Sequence, residues 1–236
     1  MTGSIRLFTP HPLHEGAELP ASAEQAHHLG TVMRRAVGDP VTLFNGEHGE
    51  WAGRIAALRK DRATLSVQLL LRPQIPDPKL TLVFAPLKRD ATDLVIEKAT
   101  ELGATRICPV FTERSNTQRL NADRWAIIAR EAAEQCERLT VPVIAPPAKL
   151  WDLLSAWPPD ENLSCAIERS GAPYPHPQDG PAALLVGPEG GFSPSELEFL
   201  NRLPFVRRIG LGSLVLRAET AAITGLALLQ AARVPR

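Results

Sequence analysis

Residues 184–200 read LLVGPEGGFSPSELEFL and place an apolar strand, a glycine-rich turn and a capped helix in direct succession. Ser193 is a typical N-cap residue, Pro194 suits the first helical position, and Glu196 completes a capping box. The three glycines let the backbone approach a ligand closely. The motif is neither the GxGxxG fingerprint nor a P-loop. An ordinary strand-to-helix turn is the alternative, but the proline and the acid between the glycines favour a ligand-binding loop at the carboxyl end of a strand.

A second glycine-bearing loop lies in residues 208–226, which read RIGLGSLVLRAETAAITGL. A strand ends in Gly210-Leu211-Gly212, and Arg217 and Glu219 then stand between strongly apolar segments. A charged side chain is buried only where it has a partner or a functional role, so we expect Arg217 to be enclosed and functional. The alternative is that both residues cap the last helix, with Glu219 near its positive end.

Around these loops, the chain from Leu80 onward alternates between strand and helix patterns, which predicts an α/β domain with a mainly parallel sheet. The last pattern, Glu219 to about Ala232, is helical and apolar almost all round, so we expect it in the core or against a second subunit. The predicted strands are 81–86, 106–111, 164–168, 182–187 and 206–212, and the predicted helices are 91–102, 122–139, 149–157, 194–203 and 219–232.

The first 71 residues have a different pattern, with short strands and one helix, Ala23 to Val32, capped by Ser22. Asn45-Gly46 and Asp61 lie between apolar runs and indicate turns. This pattern predicts a small β-rich barrel. Three prolines in RPQIPDPK mark residues 72–79 as a linker, so the predicted domains are 1–71 and 80–236.

Composition limits the function classes. No apolar run is long enough to span a membrane, and the N-terminus does not have the pattern of a signal peptide. Three isolated cysteines indicate a reducing compartment, so we expect a cytoplasmic protein, and no residue set has the spacing of a metal site. The net charge is +0, whereas RNA-binding proteins are usually basic. Arginines and lysines nevertheless cluster locally, which indicates either a basic face or scattered solvated charges.

Five segments carry a resemblance to a known family: GPEGGFSPSE (187–196), LGSLVLRAETA (211–221), HHLGTVMRRAVGDPVTLFNG (27–46), LKRDATDLVIEKATELGATRICPVFTERS (87–115) and EAAEQCERLTVPVI (131–144). The chain resembles, over almost its whole length, the ribosomal RNA uridine-N3 methyltransferases of the SPOUT class. The resemblance implies an N-terminal PUA-like β-barrel that binds RNA and a C-terminal α/β SPOUT domain with a trefoil knot. It also implies S-adenosylmethionine as cofactor, a homodimer through the C-terminal domain, and 16S rRNA or the 30S subunit as substrate.

The resemblance further implies a set of cofactor-binding residues in the two loops. Most contacts would come from the backbone, and the apolar side chains at positions 211, 214 and 216 would wall the adenine. One departure is that residues 212–217 read GSLVLR, where the family often has GPRxLR, so Leu214 replaces an arginine. The predicted cofactor-binding residues are Leu185, Gly187, Glu189, Gly190, Gly191, Ile209, Leu211, Gly212, Leu214 and Leu216.

Methylation at uridine N3 requires removal of the N3 proton or stabilisation of the resulting anion. We assign Arg217 to the electrostatic role. Glu189 is the leading candidate for the base, although it could instead orient the cofactor, and Arg114 is the candidate for an RNA contact near the site. The predicted RNA-binding residues are Arg6, Arg34, Arg35, Arg54, Lys60, Arg62, Lys88, Arg89 and Arg114.

Two alternatives remain open. The first is an enzyme of the same class that methylates a ribose 2′-oxygen or tRNA, which the full-length similarity disfavours. The second is a catalytically silent RNA-binding or ribosome-assembly protein. The glycine loop and Arg217 disfavour it, whereas Leu214 leaves room for it.

Overall fold

The computed structural model describes residues 5–115, 120–168, 171–175 and 182–231. The chain forms two compact units, one of residues 1–76 with 133–141 and the other of residues 77–132 with 142–236. The boundary at Pro76 lies within the predicted linker, 72–79. The return of residues 133–141 to the first unit differs from the predicted domains, because it depends on contacts far apart in sequence.

The first unit is built on a five-stranded sheet in the order β1-β3-β4-β5-β2, in which β1 and β3 are parallel and the other neighbours antiparallel. Its core is aliphatic, with Leu43 and Ile55 at most 1% exposed. Gly53 permits the close approach of β4 to β5, because a Cβ there would lie 2.6 Å from the Ser66 carbonyl oxygen. Its elements are β1 (Ile5–Phe8), β2 (Glu18–Pro20), α1 (Ala23–His27), β3 (Pro40–Phe44), β4 (Glu50–Arg59) and β5 (Arg62–Arg72).

Local signals in this unit are confirmed with small shifts. Ser22 and Gln25 form a capping box on α1, and the chain then continues as a π-helical turn, His28–Val32, instead of a regular helix. The Asn45 side chain accepts hydrogen bonds from the backbone of Glu47 and His48, at 3.0 and 2.9 Å. This closes the predicted turn between β3 and β4.

Arg6 lies in the interior of the first unit, which corrects its assignment to an RNA surface. Its Nε lies 2.6 Å from Glu50 Oε1, and its side chain is only 8% exposed. Nη1 donates to the Ala133 carbonyl at 2.7 Å and Nη2 to the Arg138 carbonyl at 2.5 Å. The guanidinium also lies over the Phe44 ring. Every arm of this guanidinium is used to hold residues 133–141 on the sheet, so we remove Arg6 from the predicted RNA contacts.

The second unit is built on a parallel sheet in the order β12-β10-β11-β6-β7-β8, with β9 paired to β7. The α/β class and the parallel sheet predicted from the sequence are confirmed. Its elements are β6 (Leu80–Phe84), α2 (Arg89–Glu101), β7 (Arg106–Phe111), α3 (Ala122–Gln135), β8 (Val143–Ile144), β9 (Ala148–Lys149), α4 (Leu150–Ser155), β10 (Leu163–Ala166), β11 (Ala182–Val186), α5 (Pro194–Arg202), β12 (Val206–Ile209) and α6 (Ala218–Ala231).

Alternate residues of β11 belong to different sides of the sheet. Leu185 joins the core formed with α4 and α5, whereas Leu184 meets α6. A Cβ at Gly225 would lie 2.7 Å from Leu184, so glycine lets α6 pack directly on the strand. The last helix therefore buries one face, against β11, β6 and α2, while its other residues are half-buried or exposed. The predicted helix 122–139 ends earlier, at Gln135, because Glu137 has a positive φ of 60°.

Candidate functional site

The candidate site lies at the carboxyl edge of the parallel sheet. Ala166 at the end of β10 is in register with Val186 at the end of β11 and with Ile209 at the end of β12. The two glycine-bearing loops therefore leave the same edge, on either side of β10. With about 4.8 Å between adjacent strands, they start roughly 10 Å apart. This is the crevice in which open α/β sheets bind ligands.

The loop after β11 has the conformation that its sequence predicts. Gly191 has φ +66° and donates its N–H to the Pro188 carbonyl at 2.9 Å, so this amide closes the turn and is not available to a ligand. A Cβ at Gly187 would lie 3.0 Å from the Phe192 ring. Glu189 and Gly190 are exposed.

The loop after β7 lies on this first glycine loop. Arg114 Nη1 donates to the Gly190 carbonyl at 2.8 Å. The Ser195 hydroxyl donates to Glu113 Oε1 at 2.7 Å, and hydrogen bonds from Ser195 and Ser193 lower the pKa of the Glu113 carboxyl. Arg114 thus lies beside the glycine loop. The sequence predicted a position near the site but did not indicate the Gly190 carbonyl as its partner.

Glu196 has a second role that the sequence did not show. Its side chain accepts from the Ser193 backbone N–H at 2.8 Å, which completes the predicted capping box of α5. The other carboxylate oxygen accepts from the Glu113 backbone N–H at 2.9 Å. Glu196 is fully buried, at 0% exposure. The capping motif predicted the first contact, but no local signal could reveal the second.

Residues 171–175 form a further part of the site that the sequence analysis missed. The Gly210 N–H donates to the Pro173 carbonyl at 2.9 Å. A Cβ at Gly210 would lie 2.3 Å from the Ala172 carbonyl oxygen, so a side chain there is excluded. The Tyr174 hydroxyl lies 3.7 Å from the position of a Cβ on Gly212. The contact with residues 171–175 accounts for the glycine at position 210.

The loop after β12 is more open than the sequence predicted. Leu214 is 80% exposed and Val215 is 53% exposed, while Leu211 and Leu216 are half-buried. Arg217 is exposed and stands at the N-terminus of α6, where its carbonyl accepts the Ala221 N–H at 2.8 Å. The expectation that Arg217 is enclosed is therefore wrong for a single chain.

Two predicted cofactor residues lie inside the sheet. Leu185 is 0% exposed between β6 and β10, and Ile209 is 5% exposed. Their side chains pack in the core and cannot face a ligand at the edge, so a contact of Leu185 or Ile209 with the cofactor would have to come from the backbone, which is the kind of contact predicted and stays a prediction. Among the remaining predicted residues of both loops, Gly187 is buried, and the others are half-buried or exposed.

The predicted cations divide between the two units. Lys88 and Arg89 are exposed at the start of α2, which follows β6 at the edge that carries the glycine loops. Arg34, Arg54, Lys60 and Arg62 are exposed in the first unit, and Arg35 is half-buried there. Arg34 has φ +50°, and Arg54 Nη1 donates to the Gly38 carbonyl at 2.8 Å.

The described residues form no other recognised type of site. Among residues 5–115, 120–168, 171–175 and 182–231, no group of three or more His, Cys, Asp or Glu side chains is placed to hold a metal ion. No helix in the described part of the chain has the length and apolarity to cross a membrane. Cys108 and Cys165 are buried, and burial raises the pKa of Cys165 to about 12.

Comparisons with known proteins agree with both units. Residues 74–230 match the model of an RNA methyltransferase domain, and residues 22–68 match that of an RNA methyltransferase PUA domain. The ribosomal RNA small subunit methyltransferase E of Rickettsia conorii is 34% identical over 233 residues, which cover 94% of this chain and 93% of that protein. The protein of the same name from Bacillus subtilis is 27% identical, over 93% of this chain and 92% of its own length.

Solved structures are similar over almost the whole chain. A methyltransferase from Legionella pneumophila in complex with its bound cofactor S-adenosylmethionine has a TM-score of 0.89 and 32% identity, covering 98% of this chain and 99% of its own. The ribosomal RNA small subunit methyltransferase E of Neisseria gonorrhoeae, bound to S-adenosylmethionine, has a TM-score of 0.87 and 28% identity, with 98% of each chain covered.

Proposed function

This chain belongs to the ribosomal RNA small subunit methyltransferase E family, and on that premise we propose that it methylates uridine N3 in 16S rRNA with S-adenosylmethionine. The observation that carries the proposal is the position of the two glycine loops on β11 and β12, at one edge of the sheet and on either side of β10. Small residues and open backbone at that edge suit a folded cofactor that is held mainly by backbone groups, with few side-chain contacts.

The residues at the edge fit such a cofactor. Space is open around Gly191, since a Cβ there would meet nothing within 4 Å. The half-buried side chains of Leu211 and Leu216 offer apolar surface for an adenine ring. Gly187, Gly190 and Gly212 provide the remaining backbone. When bound, S-adenosylmethionine supplies an electrophilic methyl group.

Side chains of this chain can accept the uracil proton and stabilise the negative charge that results. Arg217 presents an exposed guanidinium that can neutralise negative charge on the O2 or O4 oxygen after N3 loses its proton. Glu189 presents an exposed carboxylate that can accept that proton or orient the cofactor. Arg114, held by the Gly190 carbonyl, can contact an RNA phosphate or base beside the loop.

Lys88 and Arg89 extend the proposed RNA surface at the same edge. They stand at the N-terminus of α2, where the helix dipole disfavours positive charge. Their position is favourable when an anion lies against them, as a phosphate group would. In the first unit, which we propose to be a PUA-like barrel, Arg34, Arg35, Arg54, Lys60 and Arg62 are the remaining candidates for phosphate contacts.

We also propose that a second copy of the chain completes the site. The loop that bears Leu214 and Val215 exposes apolar side chains in the single chain, next to Arg217. Apolar surface of this kind marks an interface, and covering it would enclose Arg217. A homodimer through the C-terminal unit therefore reconciles the predicted enclosure of Arg217 with its exposure here.

A trefoil knot is proposed for the C-terminal unit. The chain leaves β12 at the edge of the sheet and returns past β10, so that α6 packs on β11 and β6. Residues 171–175 lie against Gly210 on that return path. We place the enzyme in the cytoplasm, where 16S rRNA and 30S subunits are assembled.

A transfer assay with labelled S-adenosylmethionine tests the proposal. Naked 16S rRNA and 30S particles that lack the modification serve as substrates, and mass spectrometry then locates the methyl group. A methyl on N3 of a uracil base supports the proposal, and a methyl on a uracil carbon contradicts it. A methyl on ribose or on tRNA would favour a different methyltransferase of the same class. Absence of transfer to any RNA would favour a silent RNA-binding protein.

A further inference from the structure

Glu196 is a fully buried carboxylate that two separate backbone segments share. One oxygen accepts from the Ser193 N–H at 2.8 Å, and the other accepts from the Glu113 N–H at 2.9 Å. Ser193 ends the glycine loop, whereas Glu113 belongs to the loop after β7, 83 residues away from Glu196 in sequence. The side chain thus joins two loops that both border the candidate site.

Helix capping alone does not require this residue. The capping box of α1 uses Gln25 at the equivalent position, and its amide nitrogen donates to the Phe8 carbonyl at 2.7 Å. At α5 the outside partner is an N–H group, which an amide nitrogen cannot satisfy. Because each carboxylate oxygen faces a different segment, Glu196 offers an acceptor to both, whereas an amide in the same place would turn its nitrogen toward one of them. Burying a carboxylate is costly, and Glu196 forms no ion pair with the described residues, so a neutral cap would suffice if capping were its only role.

The two hydrogen bonds that Glu196 accepts form a bridge between the loops, and this bridge determines where the Arg114 side chain lies. Arg114 follows Glu113 directly, and its guanidinium donates to the Gly190 carbonyl at 2.8 Å. The partly buried hydrogen bond from the Glu113 backbone to Glu196 fixes the backbone from which Arg114 reaches the glycine loop. Ser195 adds an exposed tie to the Glu113 carboxylate. A loop held at both its backbone and its side chains keeps its geometry before the ligand binds.

We propose that Glu196 is a positioning residue that couples the loop 112–115 to the glycine loop 187–193 and so presets the shape of the cofactor site. This proposal rests on the proposed function, because the site it shapes is the one assigned to S-adenosylmethionine. Glu196 does not touch the cofactor. It acts through Gly190 and Arg114, whose relative position it fixes.

The test uses E196Q in the full-length chain. Glutamine retains an acceptor for only one of the two N–H groups and turns a donor toward the other. We expect amide exchange at Glu113, followed by NMR, to be about tenfold faster than in the wild type. Calorimetry should show about tenfold weaker binding of S-adenosylhomocysteine, because an unsatisfied buried donor costs a factor of this order. E196D, which keeps two acceptors but is one methylene shorter, is expected to show the same two changes.

S193A is the matched control. It removes the hydroxyl that caps α5, together with the hydrogen bond from that hydroxyl to the Glu113 carboxyl, and it leaves both contacts of the Glu196 carboxylate to backbone N–H groups intact. We expect it to lower the melting temperature as E196Q does, while its affinity for S-adenosylhomocysteine stays within about twofold of the wild type. If E196Q and S193A weaken binding equally, the bridge made by Glu196 adds nothing beyond the contacts of the Ser193 hydroxyl, and the positioning role is overturned.

The same measurements distinguish failure of the positioning role of Glu196 from failure of the proposed function. If the wild type binds S-adenosylhomocysteine but E196Q binds it equally well with faster exchange at Glu113, the positioning role is wrong and the proposed function stands. If the wild type binds none, the proposed function fails. Unchanged exchange at Glu113 in both E196Q and E196D would show that the bridge itself is absent. If E196Q does not fold, E196D supplies the same comparison.

Discussion

The Arg6 guanidinium lies 2.6 Å from the Glu50 carboxylate inside the first unit, and the two side chains are 8% and 10% exposed. Arg72 binds the other oxygen of Glu50, also at 2.6 Å. Removing the acid from such a group leaves a buried guanidinium without its counter-charge. We therefore expect Glu50→Gln to lower the free energy of unfolding by about 3 kcal/mol, measured by urea denaturation. Glu198→Gln, which breaks the exposed pair with Arg202, is the control and should cost about 0.5 kcal/mol or less.

The Glu50 carboxylate also predicts how the stability of the protein depends on pH. Burial alone would raise the pKa of Glu50, but the hydrogen bonds from Arg72 and Arg6 outweigh it and lower the pKa. Because the pKa is lower in the folded than in the unfolded state, this contribution to stability is present above a pH of about 4.3 and is lost as pH falls below it. Melting temperatures of the wild type and Glu50→Gln should therefore converge at acid pH. A constant difference from pH 7 to pH 3 would contradict the assignment.

Arg217 provides the prediction on catalysis. Arg217→Ala should reduce turnover by about 100-fold or more, because it removes the charge that stabilises the uracil anion. The Arg217 side chain is exposed within its own chain and is assigned to the uracil, not to the cofactor, so the melting temperature and the affinity for S-adenosylhomocysteine should change little. Arg202→Ala removes another exposed arginine and is the control. Full turnover of Arg217→Ala would reject the role.

The cysteines provide a chemical check of the fold. Burial raises the pKa of Cys108 and raises that of Cys165 to about 12, so both thiols stay protonated and shielded at pH 8. Cys136 is only half-buried. We expect a single thiol to react quickly with a disulfide reagent at pH 8, and Cys136→Ser to remove that reaction. Fast reaction of two or three thiols in the native protein would contradict the burial.

The sequence was sufficient for features that depend on neighbouring residues. The capping box at Ser193, the turn at Asn45 and the packing of the last helix against the core follow from local patterns, and the structure confirms each. The parallel sheet followed from the alternation of elements. The resemblance supplied the family and the cofactor, which no pattern could have given.

The features that were missed depend on contacts distant in sequence. Arg6 looked like a surface cation, but its partners are residues 50, 133 and 138. The bond from the Glu113 backbone to Glu196 and the contact of residues 171–175 with Gly210 likewise have no local signal. The enclosure predicted for Arg217 failed because the apolar residues around it are exposed in one chain. A sequence pattern shows that a segment is apolar, not which surface covers it.

A substitution of Leu214 tests whether a second copy of the chain covers the apolar loop next to Arg217. At 80% exposure, it is the most open of the exposed large apolar side chains in the described part of the chain, and the proposal assigns it to the interface of a homodimer. Leu214→Glu would place a charge in that interface, where desolvation is costly. We expect sedimentation to show a shift from dimer to monomer. Affinity for S-adenosylhomocysteine should fall about tenfold, because the partner would no longer enclose the loop. Leu69→Glu, at another exposed leucine, which lies in the first unit and is 64% exposed, should remain dimeric. A dimer of unchanged affinity in Leu214→Glu would mean that this loop lies outside the interface. In that case the charge of Arg217 would have to act in an open site.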